Sequence, residues 1–410
     1  MAELESTQKR NAARIIAAMS FTKLGDVLIN PKTVLTWLLS QMGVSGAIVS
    51  MLVPIRESGS MLPQLFISGW VKKARRRKHV FVAGALVQAL AVAIMGVSAL
   101  LLPPASAGLA VLVALGLFAT ARAFCSISAK DVLGKTIPKG FRGRIGGISA
   151  TISGVVSTIA ALMLILAKDD GDVRTLAWVL LGASTLWLLG AGFYGRVDEP
   201  AGEEEGESSS SDVLGRLRLV KDDKLFRRFI LVRVLLLGSA LGAPVLVVMA
   251  GKHGGGIASL IGFVIASGVA TAGSSFLWGR LADRAPHRAM SFGGMIAAFV
   301  GGVASWIAWS SPGWFHQPLL WPTLFLLFNL GYAGVRLGRK TWVVDAAEGD
   351  QRTDYVSASN TIIAVAILVV GGIASPLQSI SPVLSLVGFS AFCLLGAIVA
   401  LGLGNTPPRD

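Results

Sequence analysis

The stretch RVDEPAGEEEGESSSSDVLGRLRLVKDDK, Arg196–Lys224, decides how the rest of the chain is read. Its acids (Asp198, Glu199, Glu203, Glu204, Glu205, Glu207) and its four-serine run offer too little apolar surface to fold alone, so a solvated linker is expected there. Working outward, each flank is a series of apolar runs of about 20 residues or more, the length that spans roughly 30 Å of hydrocarbon as a helix. The organisation expected is therefore an N-terminal bundle over 1–195, a linker over 196–225 and a C-terminal bundle over 226–410.

Composition agrees. The chain is 53% hydrophobic and only 15% charged, with a mean hydropathy of +0.67, far from a soluble globular domain. The runs before the linker are Ala12–Leu39, Val44–Trp70, Val80–Leu102, Gly108–Ile127, Ile145–Ala167 and Thr175–Tyr194. After it come Phe226–Ala250, Gly255–Trp278, Ala289–Trp309, Leu319–Val335, Val356–Ile373 and Pro382–Leu403. The fold class expected is an all-α membrane protein of twelve spans in two pseudo-symmetric six-helix bundles. A cleaved signal peptide is not expected, because Lys23 interrupts the apolar stretch that would form it.

The net charge of +14 would suggest nucleic acid in a soluble protein. Here the basic residues crowd into short loops on one side, KKARRRK (Lys72–Lys78), KTIPKGFRGR (Lys135–Arg144) and GRLADRAPHR (Gly279–Arg288). Read as a topology signal, they place both termini and the linker in the cytoplasm, and KKARRRK alone reads as an anchor to anionic headgroups. Trp37, Trp309, Trp314 and Trp321 then fall at the outer interface and Trp70, Trp278 and Trp342 at the inner one. Cys125 and Cys393 lie inside apolar runs, so neither a disulfide framework nor a metal site is expected.

The halves repeat one another. Gly69 and Gly279 each end the second span of a half and open a basic loop, 210 residues apart; Arg122 and Arg336 lie in the fourth span of each half, 214 apart. Each arginine is followed nine positions later by an aspartate, Asp131 and Asp345. Duplicated bundles of this kind suit two halves rocking about a central site.

With these features the chain resembles the major facilitator superfamily of secondary transporters along essentially its whole length. The sharpest match is GRLADRAPHR, where Gly279, Leu281, Ala282, Asp283, Arg284 and Arg288 fit the family's signature in the loop after a half's second span. The resemblance implies an inner gate in which Asp283 pairs with charges at neighbouring helix ends. The first half departs from the pattern, with Lys73 where the acid should stand, and Lys130 and Asp131 are the candidates to replace it. Arg336 and Asp345 complete the gate expected in the second half. The Gly-Pro pair of the family's antiporter signature is missing from span five, where Gly143, Gly146, Gly147 and Gly154 stand without a following proline.

Charges at bilayer depth carry the expected chemistry. A charged side chain at a helix centre costs about 2.5–3.5 kcal/mol to insert, so it faces a cavity or a partner. Lys23, Asp26 and Asn30 are spaced i, i+3, i+7 and share one face of span one. Arg56 and Glu57 sit mid-span in span two between Pro54 and Pro63, and Arg122 lies in span four. Asp26 and Glu57 are the expected proton carriers, since desolvation favours the neutral form of a carboxyl group and pairing with arginine opposes it. The competing reading is a permanent ion-pair network, Lys23 to Asp26 and Arg56 to Glu57 or to a neighbouring span. Arg233 reads as snorkelling to the interface. Asn329 and Asn360 are candidates for the C-terminal wall of the cavity, or helix-packing glue.

The function expected is secondary transport of a small polar or amphipathic solute, coupled to protons, by a monomer of the inner or plasma membrane. Its partners would be the solute, protons and membrane lipids, with no cofactor and no nucleic acid. Efflux of amphipathic cations and a non-transporting sensor or lipid-handling role are the alternatives. No nucleotide-binding signature and no nucleophile–base pair points to an enzyme.

Overall fold

In the computed structural model the described residues are 5–63, 74–138, 141, 145, 147–149, 151–152, 155–156, 173–201, 223–252, 257–310, 317, 319–346 and 349–404. Gly69, Trp70, Lys73, Gly143, Gly146, Gly154, Trp314 and most of the linker lie outside them, as does most of the expected fifth span.

The described secondary structure is helical: α1 Ser6–Leu28, α2 Val34–Gln41, α3 Gly46–Ser50, α4 Leu52–Met61, α5 Lys78–Leu101, α6 Pro104–Thr136, α7 Val173–Gly195, α8 Lys224–Leu235, α9 Gly238–Lys252, α10 Ile257–Arg284, α11 Pro286–Ser310, α12 Leu320–Asp345, α13 Gly349–Ile380 and α14 Pro382–Leu401. Among the described residues seven helices are long and apolar enough to cross a bilayer, with α8 and α9 counted as one and α10 an eighth if its bent halves form one span. The expected spans one and two, which carry Lys23, Asp26, Arg56 and Glu57, fall outside that count, as does span ten.

The chain divides into two compact units, Met1–Asn30 with Ile55–Ser211, and Pro31–Pro54 with Asp212–Asp410. Both early crossings fall at prolines. Pro31 has no N–H to give a continuing helix and disfavours helical geometry in Asn30, so span one breaks into α1 and α2.

Within the first unit, α5 shows why such helices belong in lipid. Its outward stripe is Leu86, Leu90, Ile94, Val97 and Leu101, all exposed, while Gly84, Ala85, Gln88, Ala91, Val92 and Met95 are buried. A helix apolar on both faces is stable where both protein and solvent are apolar. The inward face packs on α6 and α7, with Phe81 stacked on Tyr194 at 3.8 Å between ring centroids.

In the second unit, Gly293 of α11 and Gly331 of α12 face each other backbone to backbone. A Cβ on Gly293 would stand 2.5 Å from the Gly331 carbonyl oxygen, and one on Gly331 would stand 2.7 Å from that of Gly293. Small residues let the helices close to this distance where no water drives them together. Gly331→Leu is expected to push them apart at a cost of about 1–3 kcal/mol, read as a thermal midpoint several degrees lower in detergent. An unchanged midpoint would mean that the pair contributes no packing.

Three expectations about the surface are corrected. Trp37, Trp278, Trp321 and Trp342 are buried in helix packing rather than set in an interfacial belt: Trp342 stacks on Phe229 at 4.1 Å, and Trp278 donates its indole N–H to the Leu330 carbonyl at 2.9 Å. Trp309 is exposed, as a belt residue would be. KKARRRK is not a plain lipid anchor, because Arg77 is buried and pairs with Asp131 at 3.1 Å. The linker is not solvated from its first residue either. Val197 and Glu199 are buried, and Glu199 accepts the backbone N–H groups of Arg77 (3.0 Å) and Lys78 (2.8 Å) at the start of α5, with Lys135 Nζ 3.6 Å away. Asn11 brackets the Asp198 backbone through two hydrogen bonds and Arg14 pairs with its carboxylate at 2.8 Å. A carboxylate at a helix start satisfies orphan N–H groups and meets the positive end of the dipole.

Candidate functional site

Three helices of the first unit bring one carboxylate against two guanidinium groups. Asp26 of α1 accepts from Arg56 Nη2 of α4 at 3.2 Å and pairs with Arg122 Nη1 of α6 at 2.5 Å. Aromatic packing sets the geometry. The Arg56 guanidinium lies 4.9 Å from the Phe118 ring centre, Phe118 meets Trp187 edge-on at 5.2 Å, and Trp187 in turn fills the space over Gly25, where a Cβ would stand 2.5 Å from the indole. Glycine at 25 thus lets α1 approach α7 closely and leaves Asp26, its neighbour, facing the arginines. Of the two partners open to Arg56, the structure uses the neighbouring span. Lys23 donates to Ser149 Oγ at 2.8 Å, and Arg56 reaches Asp26 rather than the adjacent Glu57. Glu57 is half-buried and makes no ion pair among the described residues.

Beside this cluster is a cavity of about 250 Å³, into which Lys23, Asp26, Gln88, Arg122, Cys125 and Lys130 project from α1, α5 and α6. Met19, Phe81 and Leu133 supply apolar wall. Gln88 and Cys125 were not singled out from the sequence. The available signal was a lone amide within an otherwise apolar helix. Gln88 is 2% exposed, its Oε1 accepts from Cys125 Sγ at 3.4 Å, and its Nε2 has no hydrogen-bond partner among the described residues. The expected site residues Asp26, Lys23 and Arg122 thus meet at one cavity; Glu57 does not line it, and Asn30 lies at the end of α1.

The gate residues are placed differently. Gly279–Arg284 form the last turns of α10, and α11 begins at Pro286. Asp283, Arg284 and Arg288 are exposed, and Asp283 makes no ion pair among the described residues. Arg336 and Asp345 are also exposed. Of the first-half candidates, Asp131 holds Arg77 while Lys130 lines the cavity.

In the second unit Arg233 does not snorkel. It is 7% exposed and donates to Ser359 Oγ and, at 3.5 Å, to Asn360 Oδ1, both on α13. Its ring neighbour is Phe229, at 5.8 Å. Arg233 and Arg339 line a cavity of about 10 Å³, room for one water at most. Asn329 is buried and turns its amide back to the Phe325 carbonyl of its own helix at 2.9 Å, so one of its two amide N–H groups is used within α12. No carboxylate pairs with Arg233 among the described residues, and a buried cation held only by neutral groups is costly. Arg233→Met is therefore expected to raise the thermal midpoint, by about 1–3 kcal/mol in unfolding free energy. A lower midpoint would mean that the guanidinium is a net stabiliser.

Among the described residues no group of His, Cys, Asp and Glu could hold a metal ion. The family model described as Major Facilitator Superfamily matches residues 15–371. No curated protein matches the chain in sequence. Among solved structures it is similar to a mutant of the nucleoside transporter NupG (TM-score 0.67, 11% identity, covering 97% of this chain and 100% of that one). It is likewise similar to a D-xylose–proton symporter (TM-score 0.67, 11% identity, 95% and 96%). A third is the E. coli fucose:proton symporter FucP (TM-score 0.56, 14% identity, 96% and 98%). At such identities the likeness is one of fold.

Proposed function

The chain belongs to the major facilitator superfamily, and from that premise we propose that it is a proton-coupled secondary transporter of a small polar or amphipathic solute, working by alternating access around a central cavity. The proposal includes two bundles of six spans, both termini on the cytoplasmic side of an inner or plasma membrane, and a monomer as the working unit. Two of the structurally similar proteins are proton symporters by name, which supports the proton-coupled reading.

The observation that carries the reading is the clamp at Asp26. One carboxylate holds Arg56 and Arg122, from two other helices, at the edge of a cavity. A proton arriving on Asp26 removes the negative charge that keeps two cations together. The arginines then repel, and the helices carrying them favour a second arrangement. Loss of the proton restores the first. Two states of one carboxylate thereby bias two packings of the same helices, which is how protonation is linked to conformation.

The test is solute flux into proteoliposomes under an imposed pH gradient. Accumulation that follows the gradient and vanishes when an ionophore collapses it supports the reading. Flux indifferent to the gradient would leave a uniporter, and absence of flux for every class of solute would favour a sensor. Efflux of cationic compounds is the less favoured alternative, because the cavity-facing acid, Asp26, is already occupied by two guanidinium groups.

A further inference from the structure

We infer that the cavity of the first unit takes a small organic anion, a carboxylate with a short apolar body, as the transported solute; this rests on the transport reading above. Four cations stand at or beside the cavity, Lys23, Arg56, Arg122 and Lys130, against two acids, Asp26 and Glu57. Asp26 is committed to Arg56 and Arg122, so among the described residues no acid that lines the cavity is left for a cation.

The donors are what a carboxylate needs. Arg122 pairs with Asp26 through Nη1 yet keeps 36% of its side chain exposed, and its planar fork carries five N–H donors in all. Gln88 stands in the same wall, its amide Nε2 buried and without a hydrogen-bond partner among the described residues. A buried unpaired donor is costly unless something accepts from it, and a turn of the Gln88 side chain toward the cavity would present it to a carboxylate oxygen. Lys23, from a third helix, adds an ammonium to the cavity wall. Lys, Arg and amide donors thus converge from α1, α6 and α5.

Size and wall chemistry limit the body of the solute. A cavity of about 250 Å³ holds the volume of roughly eight waters, hence a solute of about eight to ten non-hydrogen atoms. Phe81, Met19 and Leu133 face it with hydrocarbon.

The experiment uses the full chain purified in detergent, with lactate, hexanoate, glutarate and cyclohexanecarboxylate as probes, each beside its uncharged amide and its ammonium counterpart. The expected result is a saturable rise in thermal midpoint with at least one carboxylate and with neither counterpart. In Lys23→Met and in Gln88→Leu the half-saturating concentration should rise at least about tenfold. An amide or ammonium that stabilises as well as its carboxylate overturns the inference. So does a carboxylate effect of unchanged half-saturation in both variants, or no shift with any probe. Counterflow of the same three classes in proteoliposomes separates this failure from the failure of the transport reading. If amides or ammonium compounds move and carboxylates do not, the protein transports and the anion assignment falls; if no class moves, the transport reading falls.

Discussion

Asp26→Asn is expected to abolish uphill accumulation of solute while leaving solute exchange across the membrane measurable. The side chain keeps its size and can still accept from the arginines, but it cannot take up or release a proton. With one pH unit imposed and one proton per cycle, the wild type can hold up to about a tenfold concentration ratio, the equivalent of 1.36 kcal/mol. The variant should hold none, its internal concentration rising only to that outside. It should also be less stable, because Arg56 and Arg122 lose their counterion. Breaking a fully buried pair costs about 3–5 kcal/mol; here about 3 kcal/mol is the expectation, since Arg122 keeps 36% of its side chain exposed. Adding Arg122→Gln should recover part of that loss without recovering accumulation. If Asp26→Asn concentrates solute as the wild type does, the Asp26 clamp is a fixed structural tie and the coupling proton is carried elsewhere, with Glu57 the next residue to substitute.

The second large effect is expected at a position that the sequence assigns to a linker. Glu199→Ala removes a fully buried carboxylate that accepts two backbone N–H groups at the start of α5 and faces Lys135. Hydrogen bonds to charged groups contribute about 1.5–3 kcal/mol each, and the charge sits at the favourable end of the helix dipole. A total near 3 kcal/mol is expected, read as a large fall in thermal midpoint. Glu199→Gln, which retains one acceptor, should lose less. Acids later in the same stretch, such as Glu204, should be replaceable by alanine with little change. Equal, small effects at Glu199 and Glu204 would show that the docked segment does not stabilise the first unit.

Much of the fold is legible because hydrocarbon is an undemanding solvent to read. The apolar runs of α5, α6, α7, α11 and α14 are long enough to cross it, and nothing else that long and that apolar forms in water. The repeated spacing within the chain puts Arg122 and Arg336 in the fourth span of each half, yet the structure uses them differently. Arg122 holds Asp26, whereas Arg336 is exposed, and it is Arg233 and Arg339 that line the small cavity of the second unit. Helical spacing puts Lys23 and Asp26 on one face but leaves open that Arg56 and Arg122 both reach Asp26, because distance along a helix says nothing about which neighbouring helix arrives beside it.

What the sequence determines by itself is which segments prefer lipid and which residues are too polar to be left in it. Insertion costs act residue by residue, so they can be read in order along the chain. What only the tertiary structure decides is how those polar residues are satisfied: Asp26 by Arg56 and Arg122, Glu199 by the start of α5, Arg233 by Ser359 and Asn360, and Gln88 Nε2 by nothing among the described residues. Hydrogen bonds and ion pairs act only over a few ångströms between groups brought together by helix packing. Packing here turns on contacts such as Gly25 against Trp187 and Gly293 against Gly331, between residues far apart in the chain.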